Sequence, residues 1–219
     1  MAIEKLENGN YYHIYNHAVG GLNLFDSPDN YEYFLSLYDK YISPIAETYA
    51  WVLMPNHFHI LVRIKEDVVY KYSNSDGSID AVRFSELKWK TTNRTASAGP
   101  VCVKNVDPSK HFSHCFNAYT KYFNKRYQTW GTLFERPFRR KRIEKERYLK
   151  NLVVYIHNNP VHHGFCSHAI EYPWSSYLSC LSDKETKLQR DAVLSWFGDK
   201  ANFKFIHEKG GMDVEDFEL

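Results

Sequence analysis

Two histidines flank a phenylalanine in His57-Phe58-His59, inside the run from Met54 to Ile64 that has the pattern of a β-strand. Strand side chains alternate between faces, so His57 and His59 are predicted on one face and Phe58 on the other. The two imidazoles can then converge on one metal ion. Two neutral imidazoles hold a divalent ion poorly, so a third ligand and a reacting group must come from elsewhere. In a chain with eleven histidines, a solvated strand face is the alternative.

A second segment, residues 148–160, has the pattern of a packed helix. Its apolar stripe has helical spacing and consists of Leu149, Leu152, Val153 and Ile156. Asn151, Tyr155 and Asn159 form a separate polar row, so a phenol and a carboxamide can point together into a cleft. A half-exposed structural tyrosine is the alternative. Pro160 predicts that the helix ends at Asn159.

These two segments belong to an ordered set of motifs that resembles the REP-associated tyrosine transposases, a branch of the single-tyrosine HUH transposases (IS200-like). The resemblance spans roughly residues 11 to 181. Its motifs are Tyr12 to Asn16, Trp51 to His59, Tyr122 to Tyr127, Gly131 to Phe138, Tyr155 to Pro160 and Tyr172 to Tyr177. In that family the histidine pair and a polar residue four positions after the tyrosine hold a divalent metal, and the tyrosine attacks DNA. The resemblance therefore implies metal ligands His57, His59 and Asn159 and a catalytic Tyr155.

The residue types suit this chemistry. A phenol, with an ordinary pKa near 10, is a poor nucleophile at neutral pH, so a cation that polarises the scissile phosphate is required. Imidazole with carboxamide oxygen suits Mg²⁺ or Mn²⁺. The resemblance implies a 5′-phosphotyrosine intermediate and a free 3′-hydroxyl, which conserve bond energy for rejoining. The predicted activity is a metal-dependent DNA strand transferase acting on single-stranded or hairpin (REP-like) DNA.

Charge is distributed unevenly along the chain. Residues 1–66 carry four Lys/Arg against eight Asp/Glu, residues 67–181 carry eighteen against nine, and residues 182–219 carry six against nine. The positive middle peaks at residues 136–150, with eight basic and two acidic side chains. A solvated face is the usual meaning of such a run, but its place beside the Tyr155 helix favours phosphate contact. The predicted DNA-binding residues are Arg136, Arg139, Arg140, Lys141, Arg142, Arg147 and Lys150.

The order of predicted elements is that of a ferredoxin-like α+β fold, an antiparallel sheet (βαββαβα-type) with helices on one face. Strands are predicted at residues 11–18, 48–54, 57–64 and 138–143, with a tight turn at Pro55-Asn56. Helices are predicted at 27–41, with Ser27 as N-cap and Pro28 at its first position, around 112–123, and at 145–158.

Residues 1–181 are predicted as one HUH transposase-like catalytic domain, and residues 182–219 as an accessory C-terminal tail that contains a helix at 191–198. Residues 67–108 read as a partly ordered insertion within the domain. Trp89 in this insertion suits either base stacking or core packing. His17 departs from the family, in which arginine is common at that position.

Composition is that of a globular chain, with 43% hydrophobic and 25% charged residues. The absence of eighteen consecutive apolar residues and of a signal-peptide pattern predicts a cytoplasmic protein without a membrane partner. The four cysteines lack Cys-x-x-Cys spacing, which argues against structural zinc. Oligomeric state stays open between monomer and homodimer.

Two other function classes remain open. One is a metal-dependent nuclease that uses water, which needs His57 and His59 but not the hydroxyl of Tyr155. The other is a non-catalytic nucleic-acid-binding protein derived from a transposase, because a ferredoxin-like sheet with exposed aromatic side chains also serves RNA-binding domains.

Overall fold

A four-stranded antiparallel sheet forms the centre of the computed structural model, which describes residues 4–66, 68–71, 90–93 and 103–209. The strands along the chain are β1 (Tyr11–His17), β2 (Ala46–Leu53), β3 (His57–Ile64), β4 (Val68–Lys71), β5 (Lys90–Asn93), β6 (Val103–Asn105) and β7 (Arg139–Ile143). The central sheet has the order β2-β3-β1-β7. This is the ferredoxin-like order, so the α+β class and the antiparallel sheet predicted from the sequence are confirmed.

The β2–β3 hairpin turns through Pro55 and Asn56, as predicted. Two backbone hydrogen bonds close the turn. The Met54 amide donates to the His57 carbonyl at 2.8 Å, and the His57 amide donates to the Met54 carbonyl at 3.3 Å. The tight turn fixes the register of β3 against β2, and hence the face on which each histidine lies.

The part of the chain that the structure describes contains six α-helices: α1 (Pro28–Tyr41), α2 (Pro108–Tyr127), α3 (Glu146–His162), α4 (Tyr177–Leu181), α5 (Arg190–Phe197) and α6 (Lys200–Lys209). Helix α1 begins as predicted, with Ser27 as N-cap and Pro28 at the first position. The side chain of Asn30 accepts from the Ser27 amide at 3.2 Å, which satisfies a donor at the helix start. Among the described residues, none of these helices has the length and apolar character needed to cross a membrane.

The helices cover both faces of the central sheet, which corrects the prediction of helices on one face. Helices α1 and α2 share a core with Phe58, Ile60 and Val62 of β3. Helix α3 shares a second core with Val52 and Leu61 on the opposite face. The reason is that β3 is buried along both faces, so each face needs a cover.

Helix α3 continues through Pro160 to His162, so the prediction that it ends at Asn159 is wrong. Proline removes one backbone donor from the helix, and the turn that follows supplies other bonds. The His163 amide donates to the Asn159 carbonyl at 3.0 Å, and the Phe165 amide donates to the Pro160 carbonyl at 2.9 Å. Asn159 therefore has true helical placement, one turn after Tyr155.

Strands β4, β5 and β6 form a separate three-stranded sheet with the order β5-β4-β6. They belong to the predicted insertion; residues 72–89, which include Trp89, and 94–102 lie outside the described residues. Helix α5 matches the helix predicted in the C-terminal tail, and α6 follows it. Helices α5 and α6 pack against α3, because Val193, Phe197 and Phe203 lie in the same core as its buried side chains.

Candidate active site and nucleic-acid interface

The histidine pair of β3 lies beneath α3. In the sheet register His57 faces His17 of β1, and His59 faces Tyr15. His57 and His59 share one face, as predicted, and are 3% and 1% exposed. Their ring centroids lie 5.2 Å apart. The solvated-strand alternative therefore does not describe these side chains.

His57 lies between two carboxamide oxygens. Its Nδ1 is 2.7 Å from Oδ1 of Asn56, and its Nε2 is 2.9 Å from Oδ1 of Asn159. Burial lowers the pKa of His57 to about 4, so the ring is neutral at physiological pH and carries one N–H. One ring nitrogen can donate to one oxygen, and the other nitrogen then turns a lone pair toward the second oxygen. A cation between that lone pair and the second oxygen would remove the repulsion between the two acceptors.

His59 has one ring nitrogen engaged and the other buried without a partner. Its Nδ1 lies 2.9 Å from Nε2 of His13, while its Nε2 is buried and makes no hydrogen bond. Burial, followed by the nearby imidazole of His13, holds the pKa of His59 well below its ordinary value. When the Nδ1–H of His59 donates to His13, the lone pair on Nε2 is left for a ligand, which is how metal-binding histidines are oriented.

The donors at this point are two imidazole nitrogens and one carboxamide oxygen, from His57, His59 and Asn159. Across residues 4–66, 68–71, 90–93 and 103–209, no group of three His, Cys, Asp or Glu side chains is placed to hold a metal. The oxygen that the described residues place beside Nε2 of His57 is Oδ1 of Asn159, at 2.9 Å. Nitrogen and carbonyl oxygen donors suit Mn²⁺ or Mg²⁺ held with open positions, so the residues fit such an ion.

Tyr155 lies on α3 directly above these histidines. Its ring centroid is 5.3 Å from that of His59 and 6.2 Å from that of His13, edge-on in both cases. The side chain is 7% exposed. Tyr155 and Asn159 are one helical turn apart and face the same side, so a phenol and the three donors meet in one place.

Three further imidazoles border the site. His17 stacks on His57 at 4.8 Å between ring centroids, and His163 meets His57 edge-on at 5.0 Å. His162 lies 6.4 Å from the Tyr155 ring. The His17 side chain therefore lies against the predicted metal ligand His57.

His13 is the site residue that sequence reasoning did not single out. It lies on β1, two positions before Tyr15 and four before His17, and strand alternation gives these side chains the same face. The signal was therefore present in the sequence, but only the pairing of β1 with β3 brings His13 to His59.

Two of the basic residues predicted to bind DNA face the site. Arg139 pairs with Tyr15 and Lys141 with His13 in the β1–β7 register. Both side chains thus belong to the histidine face of the sheet. The positive charge of Lys141 contributes to the lowered pKa of His13, after the larger effect of burial, which takes that pKa to about 3.

Arg136 and Arg140 lie on the opposite side of the sheet, toward α2. The Arg140 guanidinium stands 3.8 Å over the Phe138 ring, and its Nη1 donates to the Ser109 hydroxyl at 2.7 Å. Arg136 reaches Oδ1 of Asn117 at 3.4 Å.

The other three predicted DNA-binding residues make intramolecular contacts. Arg142 donates to the carboxylate of Glu7 at 3.0 Å and to Asn10 at 2.8 Å. Arg147 stands over the ring of Tyr148 at 5.0 Å, and Lys150 over the ring of Phe197 at 5.1 Å. Lys150 therefore points to α5 and away from Tyr155.

Comparison with known proteins adds one fold likeness. No family model and no curated protein matches the chain. A solved structure described as the REP-associated tyrosine transposase bound to a REP hairpin is similar, with a TM-score of 0.53 and 15% identity over 84% of this chain and 86% of that chain. The likeness is one of fold. It agrees with the family that the sequence motifs resemble, and with the mixed α+β architecture around a four-stranded antiparallel sheet.

Proposed function

We propose that this protein is a metal-dependent single-stranded DNA endonuclease and strand transferase, in which Tyr155 forms a 5′-phosphotyrosine intermediate. One observation carries the proposal: the Tyr155 ring lies 5.3 Å from His59, whose Nε2 is buried without a hydrogen-bond partner. A nucleophile and a converging set of metal donors in one buried place are what phosphodiester transfer requires. The fold likeness to a transposase supports the same class of activity.

In this mechanism the Tyr155 oxygen attacks the scissile phosphorus as its phenolic proton passes to solvent. The new bond is Tyr155 oxygen to phosphorus, and the bond that breaks is phosphorus to the 3′ oxygen, which leaves with a proton as a free 3′-hydroxyl. His57, His59 and Asn159 would hold a divalent cation, which would serve as a Lewis acid and neutralise charge on the phosphate. Attack by a 3′-hydroxyl on the phosphotyrosine reverses the step and rejoins DNA.

The proposed substrate is hairpin DNA with a single-stranded 5′ flank. Tyr155 is 7% exposed, so a scissile phosphate reaches it only in a strand that bends into the site. Arg139 and Lys141 on the same face supply phosphate contacts. The similar solved structure contains a REP hairpin, which supports DNA of this form as the partner.

The test is covalent capture of DNA. The protein is incubated in Mn²⁺ with a 5′-flanked hairpin labelled on the side that becomes attached, and the mixture is resolved under denaturing conditions. We expect a labelled protein band whose peptide map places the adduct on Tyr155, and none in EDTA. A blunt duplex of equal length should give no adduct and bind more weakly at physiological salt. Equal affinity for both DNAs and no adduct would favour a general nucleic-acid binder.

A water-using nuclease is the second candidate, and the burial of Tyr155 is the observation that favours it. Tyr155 is 7% exposed, so its phenol has little access to an incoming phosphate, whereas an attacking water molecule is small enough to enter beside it. The two candidates differ in their product. A nuclease releases both DNA ends and keeps its activity in Tyr155→Phe, whereas the strand transferase retains one end on the protein.

A further inference from the structure

A groove lies between α2 and residues 133–140, on the face of the sheet opposite His57 and His59. Its volume is about 520 Å³. Three phenylalanines, Phe116, Phe134 and Phe138, supply its apolar walls, and Asn117, Arg136 and Arg140 supply polar groups. We call this cavity the α2 groove. A cavity with flat apolar walls and cationic edges suits a ligand that carries both a ring and a negative charge.

Arg140 is placed to receive a ligand. Its guanidinium stands 3.8 Å from the centroid of the Phe138 ring, and its Nη1 donates to the Ser109 hydroxyl. The Nε donor is buried and has no hydrogen-bond partner in the structure. A buried guanidinium donor without an acceptor is costly, and an acceptor atom in the α2 groove removes that cost.

Arg136 supplies a second cation on the same groove. Its Nη2 meets Asn117 at 3.4 Å, which is too long for a strong bond, so the guanidinium is not tied down. The one carboxylate that lines the groove, Glu135, lies 3.5 Å from Arg139. Positive charge therefore exceeds negative charge at this cavity, which favours an anionic ligand.

The position of β7 connects the α2 groove to the catalytic face. Strand β7 is the last strand of the sheet, and its side chains alternate between faces. Arg139 and Lys141 lie on the histidine face, whereas Arg140 lies on the α2 face. A polyanion that crosses the β7 edge meets cations on both sides of it.

We propose that the α2 groove is a second subsite that holds one unpaired nucleotide of the substrate strand. The base stacks on the phenylalanine walls of the α2 groove, an acceptor on its edge takes the Nε–H of Arg140, and the adjoining phosphate lies on Arg136. Aromatic and guanidinium surfaces stack on bases without a strict sequence preference. This subsite rests on the proposed function, because its ligand is the strand that Tyr155 cleaves.

Photocrosslinking locates the nucleotide in the wild-type protein. A 5-iodouracil is placed at successive positions of the single-stranded flank of a hairpin, and crosslinked peptides are identified by mass spectrometry. We expect one flank position to crosslink to Phe134 or Phe138. A bound flank that crosslinks at every position only to peptides of the histidine face overturns the subsite but leaves the proposed function standing. A hairpin that neither binds nor forms an adduct overturns both.

A charge-conserving substitution distinguishes recognition of the nucleotide in the α2 groove from general electrostatic attraction to DNA. Arg140→Lys keeps the positive charge but removes the planar guanidinium and its Nε donor. We expect it to weaken binding of the flanked hairpin about tenfold and to leave binding of the same hairpin without a flank unchanged. Lys200→Arg on α6, which also keeps the charge, is the matched surface control and should change neither affinity. Unchanged affinity for the flanked hairpin in a folded Arg140→Lys variant, checked by its thermal unfolding, argues against the subsite.

Discussion

The Nε2 of His13 lies 2.9 Å from Nδ1 of His59, and both rings are 1% exposed. Burial lowers the pKa of each, so both imidazoles are neutral and one proton is shared along this contact. When His59 is the donor, its Nε2 carries the lone pair that a metal needs. We therefore propose that His13 is a positioning residue, which selects the tautomer of His59.

The role of His13 can be tested with two substitutions that differ in one property. Gln at position 13 offers an oxygen that can accept the His59 Nδ1–H, whereas Leu offers none. We expect His13→Leu to weaken Mn²⁺ binding by roughly 10- to 100-fold, in the range found for partners of metal-binding histidines, and His13→Gln to weaken it less. Calorimetric titration measures both. Equal losses in the two variants would mean that His13 acts only by filling space.

Local patterns predicted the strands of the central sheet and its antiparallel fold class, but not which side chains of neighbouring strands meet. The alternation in residues 57–64 places His57 and His59 on one face because the side-chain period of a strand is fixed. His13 was missed because its partner is 46 residues away, and only strand pairing joins them. The continuation of α3 through Pro160 depends on backbone bonds from residues beyond it, which no local propensity reports.

The basic run of residues 136–150 also shows that local sequence does not predict which side chains face the same way. In the sequence it reads as one patch, but most of it falls on a strand and the start of a helix, whose side chains diverge. Arg139 and Lys141 join the histidine face, Arg140 turns to α2, and Lys150 turns to α5. Charge counted along the chain therefore predicted a polyanionic partner but not which cations face the site.

The nucleophile is tested by Tyr155→Phe. This change removes one hydroxyl and keeps the ring against His59. The variant should therefore fold, and its DNA affinity should change less than about twofold, while the covalent adduct disappears. The matched control is Tyr148→Phe, two turns earlier on α3, which should still form the adduct. Adduct formation by Tyr155→Phe at the wild-type rate would exclude Tyr155 as the nucleophile.

The metal donors are tested by single alanine substitutions at His57, His59 and Asn159. Loss of either imidazole should abolish Mn²⁺-dependent cleavage, whereas Asn159→Ala should weaken Mn²⁺ affinity more modestly, because an amide oxygen is the weaker donor. Binding of the hairpin should persist in all three, since it depends on cations and stacking. Unchanged Mn²⁺ affinity in the His57→Ala/His59→Ala double variant would refute the site.

The division of the basic residues predicts different salt dependences. Removing Arg139 and Lys141 together, as Arg139→Gln/Lys141→Gln, should reduce the slope of log affinity against log salt by about 1.4, at roughly 0.7 per phosphate contact on a single strand. Arg142→Gln should reduce it less, because Arg142 lies on the other face of β7, where Glu7 and Asn10 bind its guanidinium. Fluorescence anisotropy at several salt concentrations gives the slopes. An equal or larger effect of Arg142→Gln would contradict this assignment of the DNA-facing cations.

A buried histidine pair joins the C-terminal helices to α3 and should make stability depend on pH. Nδ1 of His157 lies 3.0 Å from Nε2 of His207, and Nε2 of His157 lies 2.8 Å from the Ser176 hydroxyl. His207 donates its Nδ1–H to the Phe203 carbonyl at 2.7 Å. Every ring nitrogen thus has a partner when both rings are neutral. A proton added to Nε2 of His207 would place two N–H donors, one from each ring, against each other.

Burial lowers the pKa of His207 to about 4 and holds that of His157 well below its ordinary value. Below pH 6.5 these histidines are protonated in the unfolded chain but stay neutral in the folded protein. The free energy of unfolding is therefore highest above pH 6.5 and decreases as the pH falls toward 4. For His207 alone this amounts to about 2 kcal/mol between pH 7.5 and pH 5. Urea unfolding at the two pH values should show His207→Gln losing less stability than the wild type by that amount. Identical losses would mean that His207 takes up its proton in the folded protein as readily as in the unfolded chain.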